Sequence, residues 1–534
     1  YWRVSRKFDP SDSLNNFLGD LNKYVFRYKI KTSTGIKAAI TAEKDAGEVF
    51  FTDLNPNGFD LYTGYLQFER KGVFNTFILG HYRMFFGQGL TMGQGFSRYK
   101  SVQATSNQHF GNQIRPSAST STFGSFRGAV FQYSKARFTL SPFISYHSLD
   151  ATIDTIINEY ESLYFIRSIK TDDYHRTLNE NKKRNTAKEI VAGAQTEYML
   201  NSIKIGLVSF YTHYNIPIVQ PSEPYNQFRF SGKENINTGF YFQTFGSKNN
   251  IYGEISSGMN LKMAWLVGIN LNPDTKNAIE IIIRNYSRGF QNKYSNGFKE
   301  SSNAENERGI YMGYQSLLHK NWTLNCWYDW FQFPWMTYQS DHPSNGSEFL
   351  NSLQYHPGNS FKAELLYKYQ NKPYSQTTDT HTSESTTRKK QSLRFQFEYT
   401  PLSQLCFRYR VEISEYIKNL STKSKGFLLY QDIIYRNEEL PFSATLRYAF
   451  FDTEDFDNRF YTYEHDVLYA FSVPAYYKKG NRIYLNTRLN LSDFCSIWLK
   501  LAHTAYIKKR TGNGTQEDAL SNKSEISAQI KFHL

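Results

Sequence analysis

Gln391-Ser392-Leu393-Arg394-Phe395-Gln396-Phe397-Glu398-Tyr399-Thr400-Pro401-Leu402-Ser403-Gln404-Leu405-Cys406-Phe407-Arg408-Tyr409-Arg410-Val411-Glu412-Ile413-Ser414 decides the fold. Apolar residues take every second place from Arg394 to Tyr399, and after a turn at Thr400 to Gln404 the alternation resumes. Leu405, Phe407, Tyr409, Val411 and Ile413 share one face, and Cys406, Arg408, Arg410 and Glu412 share the other, because successive side chains of a strand point to opposite sides. This is a hairpin with one greasy face and one charged face. A soluble sheet would bury the greasy face under a second layer, yet the unit recurs along the chain with no amphipathic helix to cover it. Lipid is the remaining partner. Unpaired backbone groups in hydrocarbon cost several kcal/mol each, so such a sheet closes into a barrel.

The totals agree with that reading. The 534 residues show no linker or shift of composition that would divide them, and one large barrel accommodates the length. Mean hydropathy is -0.59, while aromatics reach 17%, with 41 Tyr and 43 Phe. A polar lumen with aromatic girdles at both membrane interfaces produces that combination. No run of about 18 apolar residues occurs, which argues against a membrane helix. The chain opens at Tyr1 without Met or a charged-then-apolar leader, the beginning expected of a mature form or an ordered fragment. A formal charge of +14 suits anionic lipid headgroups, acidic substrates or nucleic acid. Cys326, Cys406 and Cys495 each fall inside an expected strand and none has metal-ligand spacing, so neither a disulfide framework nor a structural zinc site is expected.

In chain order, residues 1–22 lack periodicity and read as a leading segment, periplasmic or folded into the barrel mouth. Residues 23–534 read as the barrel. The first strand sets Tyr24, Phe26, Tyr28 and Ile30 against Val25, Arg27, Lys29 and Lys31, and the charged stretch from Lys44 to Glu48 reads as a loop or rim. The polar stretches 150–188, 292–306 and 371–388 read as loops, the middle one exposed. Trp322, Trp327, Trp330 and Trp335 bracket a strand and its exit, where their rings would anchor at the membrane surface. Strands are expected at 427–435, 442–450, 463–471, 483–491 and 497–506, and the last strand turns Ile526, Ala528, Ile530 and Phe532 outward. The count is roughly 24 strands, within about 22 to 26, of the length that a tilted membrane strand needs. Short and long turns should alternate, and around 258–261 and 473–494 this assignment breaks the rule.

The most distinctive loop spans 87–122. Gly87, Gln88, Gly89, Gly93 and Gly95 open it, and Arg98, Lys100 and Arg115 follow. The spacing is not Gly-x-Gly-x-x-Gly and no strand-helix unit surrounds it, so a nucleotide site is not expected. Glycine here lets the backbone adopt positive φ or pack closely on the wall. A loop of this length either folds inward to narrow the lumen or lies on the surface.

No nucleophile and base stand in a recognisable arrangement, so no catalytic residue, metal ligand or cofactor is assigned. The sharpest local cluster is Tyr463-Glu464-His465-Asp466, where Glu464 and Asp466 would share one face of a strand. Lumen positions carry Lys362, Lys368, Arg394, Arg408, Arg410, Arg482 and Arg488, mixed with Glu364, Glu398 and Glu412. A barrel of this size is either plugged or conducting.

Several stretches resemble a family. Thr41 to Glu48, which includes Glu43, Lys44, Asp45 and Glu48, together with Phe86-Gly87-Gln88-Gly89-Leu90, Lys100-Ser101, Arg115-Pro116, Arg127-Gly128-Ala129 and Tyr463-Glu464 with Asp466, is similar to large outer-membrane barrels of Bacteroides-type bacteria. Those proteins usually carry helix-hairpin-helix repeats of the ComEA DNA-binding kind ahead of the barrel. The resemblance implies integral placement in the outer membrane among lipid and lipopolysaccharide, and a link to DNA binding or uptake. It brings no catalytic residue. This chain begins at Tyr1 without such a segment, and His81 stands where the family pattern leads one to expect Asp.

Two functions follow as expectations. One is a channel or translocator for an extended polyanion such as DNA; the other is a non-conducting structural barrel among other outer-membrane or periplasmic subunits.

Overall fold

The computed structural model describes residues 1–9, 16–70, 72–96, 100–111, 113–157, 162–377, 383–418, 423–437, 440–507 and 522–533. Antiparallel strands form one closed ring of 24. The first half comprises β1 Trp2–Phe8, β2 Asn22–Lys31, β3 Ile36–Lys44, β4 Leu61–Glu69, β5 Phe74–Phe85, β6 Phe126–Lys135, β7 Phe138–Leu149, β8 Ala187–Leu200, β9 Ile203–Ile218, β10 Gly232–Thr244, β11 Asn249–Ser257 and β12 Met263–Leu271. The second half comprises β13 Asn277–Tyr286, β14 Glu307–His319, β15 Trp322–Phe333, β16 Ser344–Gly358, β17 Phe361–Thr377, β18 Ser383–Leu402, β19 Leu405–Ile417, β20 Lys423–Arg436, β21 Phe442–Thr453, β22 Lys479–Ser492, β23 Cys495–Tyr506 and β24 Lys523–Phe532. Each strand pairs with the next, and β24 closes on β1 from Trp2 opposite Ile530 to Phe8 opposite Ser524. Closure leaves no unpaired edge in the hydrocarbon.

Even-numbered strands are followed by two to five residues, and odd-numbered strands by ten or more except after β11, β17 and β19, where five intervene. Asn201 and Ala136 adopt positive φ, 47° and 52°, in two-residue turns of the kind that match strand twist. By the usual orientation the short turns face the periplasm and the long connections face outward. Residues 258–262 make a short turn on the outer side, which resolves the first break in the expected alternation.

The outer wall carries the apolar belt. Phe26, Tyr28 and Ile30 on β2, Val411 and Ile413 on β19, and Ile526 and Phe532 on β24 face outward, while Val25, Arg410 and Gln529 are buried on the lumen side. The chain is thus an integral barrel of the bacterial outer membrane. No helix of the described residues is long and apolar enough to cross a membrane.

Local assignments shift in several places. The leading segment supplies β1, a barrel strand of only seven residues in which Arg6 takes an outward place beside Trp2, Val4 and Phe8, which masks its alternation. The expected strand at 463–471 is instead part of the connection 454–478, which holds a two-pair ladder between Phe460–Tyr461 and Ala475–Tyr476; this resolves the second break. The stretch 150–188 contains a hairpin, Ala151–Ile157 with Ser162–Ile169, and a one-turn helix α1, Leu178–Lys182. Within the stretch 371–388 the described residues, 371–377 and 383–388, are the tall ends of β17 and β18, paired from Phe361 opposite Tyr399 to Thr377 opposite Ser383. A strand longer than about 10 residues stands above the bilayer and needs no apolar face there.

Trp327 is a further correction. Trp322 and Trp330 face outward, but Trp327 differs from each by an odd number of residues and is buried in the lumen. The stretch 292–306, expected to be exposed, lies inside as well, with Phe298 and Ala304 buried.

Candidate functional site

The chain's own long connections enter the lumen and pack on its wall. Leu90, Ala104, Phe290, Phe298 and Ala304 from two of them pack against wall residues Tyr252, Leu266, Ile282, Tyr311 and Trp327. Phe86, Met92 and Tyr294 enter a second cluster with Tyr82, Phe126, Phe210 and Tyr241. Burying a side chain of this size contributes about 1.5–3 kcal/mol, so these connections belong to the core.

What fixes their position is polar. Gly87 and Gly89 adopt left-handed φ of 56° and 77°, and the intervening turn aims successive N–H groups at one point. Gln88, Leu90 and Thr91 donate their backbone N–H to the Glu254 carboxylate of β11 at 2.7, 3.1 and 2.6 Å. Converging amides of this kind form an anion-binding concavity; here the anion is the barrel's own wall. A Cβ on Gly87 would lie 2.8 Å from Glu254 Oε2, and one on Gly239 of β10 would lie 1.9 Å from Thr91 Oγ1. The connection 287–306 laces onto the first: Asn296 donates to the Gly89 carbonyl at 2.7 Å, Gly93 to the Tyr294 carbonyl at 2.9 Å, and Asn292 Nδ2 to the Thr91 carbonyl at 2.9 Å.

Residues 100–109 are pinned to the next strands. The Asn107 side-chain amide and the Tyr252 hydroxyl donate to Glu280, both at 2.8 Å. Tyr311 Oη donates to the Ala104 carbonyl at 2.7 Å, and Trp327 Nε1 to the Ser101 carbonyl at 2.8 Å. Gly313 of β14 makes room, since a Cβ there would lie 2.0 Å from the Ala104 oxygen.

Lys100 is the hub of an ion network. Its ammonium meets Asp329 at 2.5 Å, Glu348 at 3.5 Å and also Glu300. Burial opposes its charge, but these three carboxylates outweigh the burial and hold the ammonium above the usual lysine range. Asp329 also takes the Arg284 guanidinium at 2.7 Å, and Arg284 reaches Glu307 at 2.6 Å. Lys372 of β17 links Glu300 and Glu348 at 2.6 and 2.8 Å.

The opposite half of the ring repeats the device. Glu464, in the connection 454–478, accepts from Arg482 Nε at 2.7 Å and from Tyr476 Oη at 2.8 Å, and Asp466 pairs with Lys500 at 2.8 Å. Arg447 holds Asp432 at 2.5 and 2.7 Å and donates to the Tyr463 carbonyl at 3.0 Å, tying this connection to the wall.

A third tie joins the outer connections 45–60 and 150–186. His175 places Nδ1 at 2.6 Å from Asp60 and Nε2 at 2.7 Å from Asp150, while Glu48 accepts the backbone N–H of His175 at 2.8 Å and of Asp45 at 2.7 Å. Burial opposes the imidazolium, but the hydrogen bonds to Asp150 and Asp60 outweigh it and raise the pKa to about 9. Burial, with Asp60 nearby, raises the Glu48 carboxyl to about 7. Ligand-type atoms of Glu48, Asp60 and His175 lie within 4.8 Å of one another. With both ring nitrogens hydrogen-bonded to carboxylates, this is an imidazolium clamp that leaves no lone pair for a cation.

The residues singled out in the sequence divide accordingly. Gly87, Gln88, Gly89, Gly93 and Lys100 come together in the plug; Gly95 is exposed with open space around it, Arg115 is exposed on the short strand Gln113–Pro116 beside β5, and Arg98 lies outside the described residues. Arg394 pairs with Glu364 at 3.2 Å, Arg408 with Glu398 at 2.8 Å, Arg410 donates to Glu412 at 3.0 Å, and Arg482 holds Glu464. Arg488 bonds Asn490 at 3.0 Å, and Lys362 and Lys368 have no ion-pair partner among the described residues. Glu43 and Asp45 both take Lys23 at 2.5 Å, and the buried Lys44 donates to the Asp20 and Asn22 carbonyls at 2.8 Å. Arg127 lines a cavity of about 430 Å³ with His81, His147 and His175. The wall carboxylates Glu254, Glu280, Glu307, Asp329 and Asp432 escaped the sequence reading. Their inward parity was visible, but the loops they hold were not.

No family model matches the chain, and no curated protein matches it. Among solved structures, the siderophore receptor PirA of Pseudomonas aeruginosa aligns with TM-score 0.46 at 8% identity, over 100% of this chain and 80% of that one. The FrpB iron transporter of Neisseria meningitidis aligns with TM-score 0.41 at 10% identity, over 99% and 81%. The ferric enterobactin receptor PfeA of Pseudomonas aeruginosa aligns with TM-score 0.43 at 7% identity, over 99% and 80%.

Proposed function

We propose that the chain is an outer-membrane translocation barrel that rests closed, with the connection 86–125 as its gate. One observation carries this reading: the gate is registered on the wall by Glu254, Glu280 and the Lys100 network, all polar contacts. Replacing buried ion pairs by apolar residues of similar volume is often neutral or stabilising, so a plug made only for permanence has no need of them. Polar clamps fix one position and release it when another charge competes. The Bacteroides-type resemblance supplies the finer reading, DNA or another extended polyanion as cargo. Such a polymer would exchange for the carboxylates now held by Lys100, Arg408 and Arg410.

The test is conductance of the purified barrel in a planar bilayer, before and after adding single- and double-stranded DNA. Openings that DNA blocks in a voltage-dependent manner, with the block weakening as salt rises, support the polyanion conduit. Block by a neutral polymer as strong as that by DNA counts against it.

A second reading rests on a different observation. Arg394, Arg408, Arg410 and Arg482 each already hold a carboxylate, so these guanidiniums form no free cationic track. That favours a non-conducting structural barrel within a larger outer-membrane secretion or assembly complex. A bilayer silent at every voltage, with subunits that co-purify, selects it.

A further inference from the structure

At the outer mouth a cavity of about 380 Å³ opens between the connections 219–231, 287–306 and 334–343. Its charged lining is Arg229, Arg288, Lys372 and Arg388 against Glu300 and Glu305, four cations to two carboxylates. Both carboxylates are engaged, Glu300 by Lys372 at 2.6 Å and Glu305 by Arg229 at 3.4 Å. Arg288 stands apart. Its guanidinium lies 4.5 Å from the Phe228 ring centre and 5.4 Å from that of Trp335, and it has no hydrogen bond or ion pair among the described residues. A guanidinium held over aromatic rings and bonded to no acceptor has N–H groups available for a bidentate acceptor.

The platform is built in advance. Trp335 donates its backbone N–H to Asn306 at 2.8 Å, accepts from Asn306 Nδ2 at 3.0 Å, and sends its indole N–H to the Pro224 carbonyl at 3.0 Å. Tyr338, 80% exposed, stands edge-on to Tyr225 at 5.9 Å. Neutral hydrogen-bonding groups of Ser302, Asn303 and Thr337 complete the lining.

We infer that this cavity binds an acidic saccharide, with Arg288 taking the carboxylate and Trp335 and Tyr338 carrying the face of the sugar ring. An aromatic acid would use the rings and the cation but not the neutral hydrogen-bonding groups, and inorganic phosphate would use the cation alone. The size is that of a small-ligand site. The inference goes beyond translocation, because binding is measured without any conductance.

The experiment is calorimetric titration of the full chain in nanodiscs with trigalacturonate, and with maltotriose, benzoate and inorganic phosphate in separate arms. Saturable trigalacturonate binding, with maltotriose at least about tenfold weaker, is expected. Arg288→Met should weaken trigalacturonate by about tenfold or more, the effect of losing a charge-assisted bidentate contact. Trp335→Ala and Arg388→Met should each weaken it less. A heat-shift gel establishes that every variant is a folded barrel. Equal binding of maltotriose, tighter binding of benzoate or phosphate, an unaltered Arg288→Met variant, or no binding by the folded parent would each overturn the assignment.

Discussion

Thr91 and Glu254, 163 residues apart in the chain, meet at 2.6 Å between a backbone N–H and a carboxylate oxygen. The contact ties the tip of a glycine-rich turn to the inner wall of the barrel, and Glu254 takes two further amides of the same turn. Removing that carboxylate strands three buried donors, at a cost of about 1–3 kcal/mol each. Glu254→Ala is therefore expected to loosen the connection 86–125. In planar bilayers it should flicker open at voltages where the parent stays closed, and Glu254→Ala combined with Glu280→Ala should open longer. Traces as quiet as the parent's from both variants would show that the gate is held elsewhere.

The His175 clamp sets a pH limit on the outer connections. Its folded pKa, about 9, lies above the ordinary histidine value of 6.5. The stabilisation is complete below the unfolded pKa and is lost as pH rises through about 9; the difference corresponds to roughly 3 kcal/mol. Glu48, raised to about 7, loses stability as pH climbs from the ordinary carboxylate range to about 7 and changes no further above it. The Glu48 penalty is therefore complete by about pH 7, and only the loss of the His175 charge loosens the tie in alkali. Trypsin cleavage at Arg176 and Lys182, normalised to a site elsewhere in the chain, should climb between pH 7.5 and 9.5, while His175→Gln should be cut readily at both. Equal cleavage of the parent across the range would remove the clamp from the account.

Tryptophan positions can be read with brominated lipid. Trp322 and Trp330 lie on the outer face of β15, and Trp327 lies inside with its indole bonded to Ser101. Bromine in the acyl chains should quench Trp322→Phe and Trp330→Phe less than the parent, and Trp327→Phe at least as fully. Lower fractional quenching in Trp327→Phe would place that ring in lipid.

Arg447 and Asp432 form a buried pair, both essentially without solvent exposure. Removing Arg447 leaves buried Asp432 with only the longer contact to Arg408 at 3.4 Å, a loss of up to about 3–5 kcal/mol, while replacing both members of a buried pair with apolar residues is often neutral. Arg447→Met should therefore lower the heat-modifiability midpoint clearly, and Arg447→Met with Asp432→Leu should recover most of the loss. A double variant less stable than the single one would show that the Arg447 bonds to Thr462 and Tyr463 and the Asp432 contact to Arg408 outweigh the pair itself.

How much of this was legible follows from what each residue's signal depends on. The belt was legible because lipid imposes period two on β19 and β24 whatever their neighbours are. β1 was not, because it is only seven residues long and Arg6 occupies an outward place, while ladder pairing with β2 and β24 maintains it. The segment 463–471 showed a strand's alternation yet folds as luminal loop, because Glu464 finds Arg482 and Asp466 finds Lys500 across the cavity. Alternation records two environments on either side of a backbone and is silent on whether one of them is lipid. The glycines at 87 and 89 marked an unusual turn, but only the barrel's closure brings Glu254 beneath it.

The wall glycines carry a last consequence. Gly239 is bare where Thr91 presses, and Gly313 is bare where the Ala104 carbonyl rests, so the inner surface is a cast of the segment it encloses. A change in the connection then requires a matching change in the strand. A chimaera that receives the 86–125 segment of a relative while keeping its own β10 and β14 would present the wrong mould, and lineages that enlarge Thr91 or rebuild residues 100–109 must recut the facing strands in step.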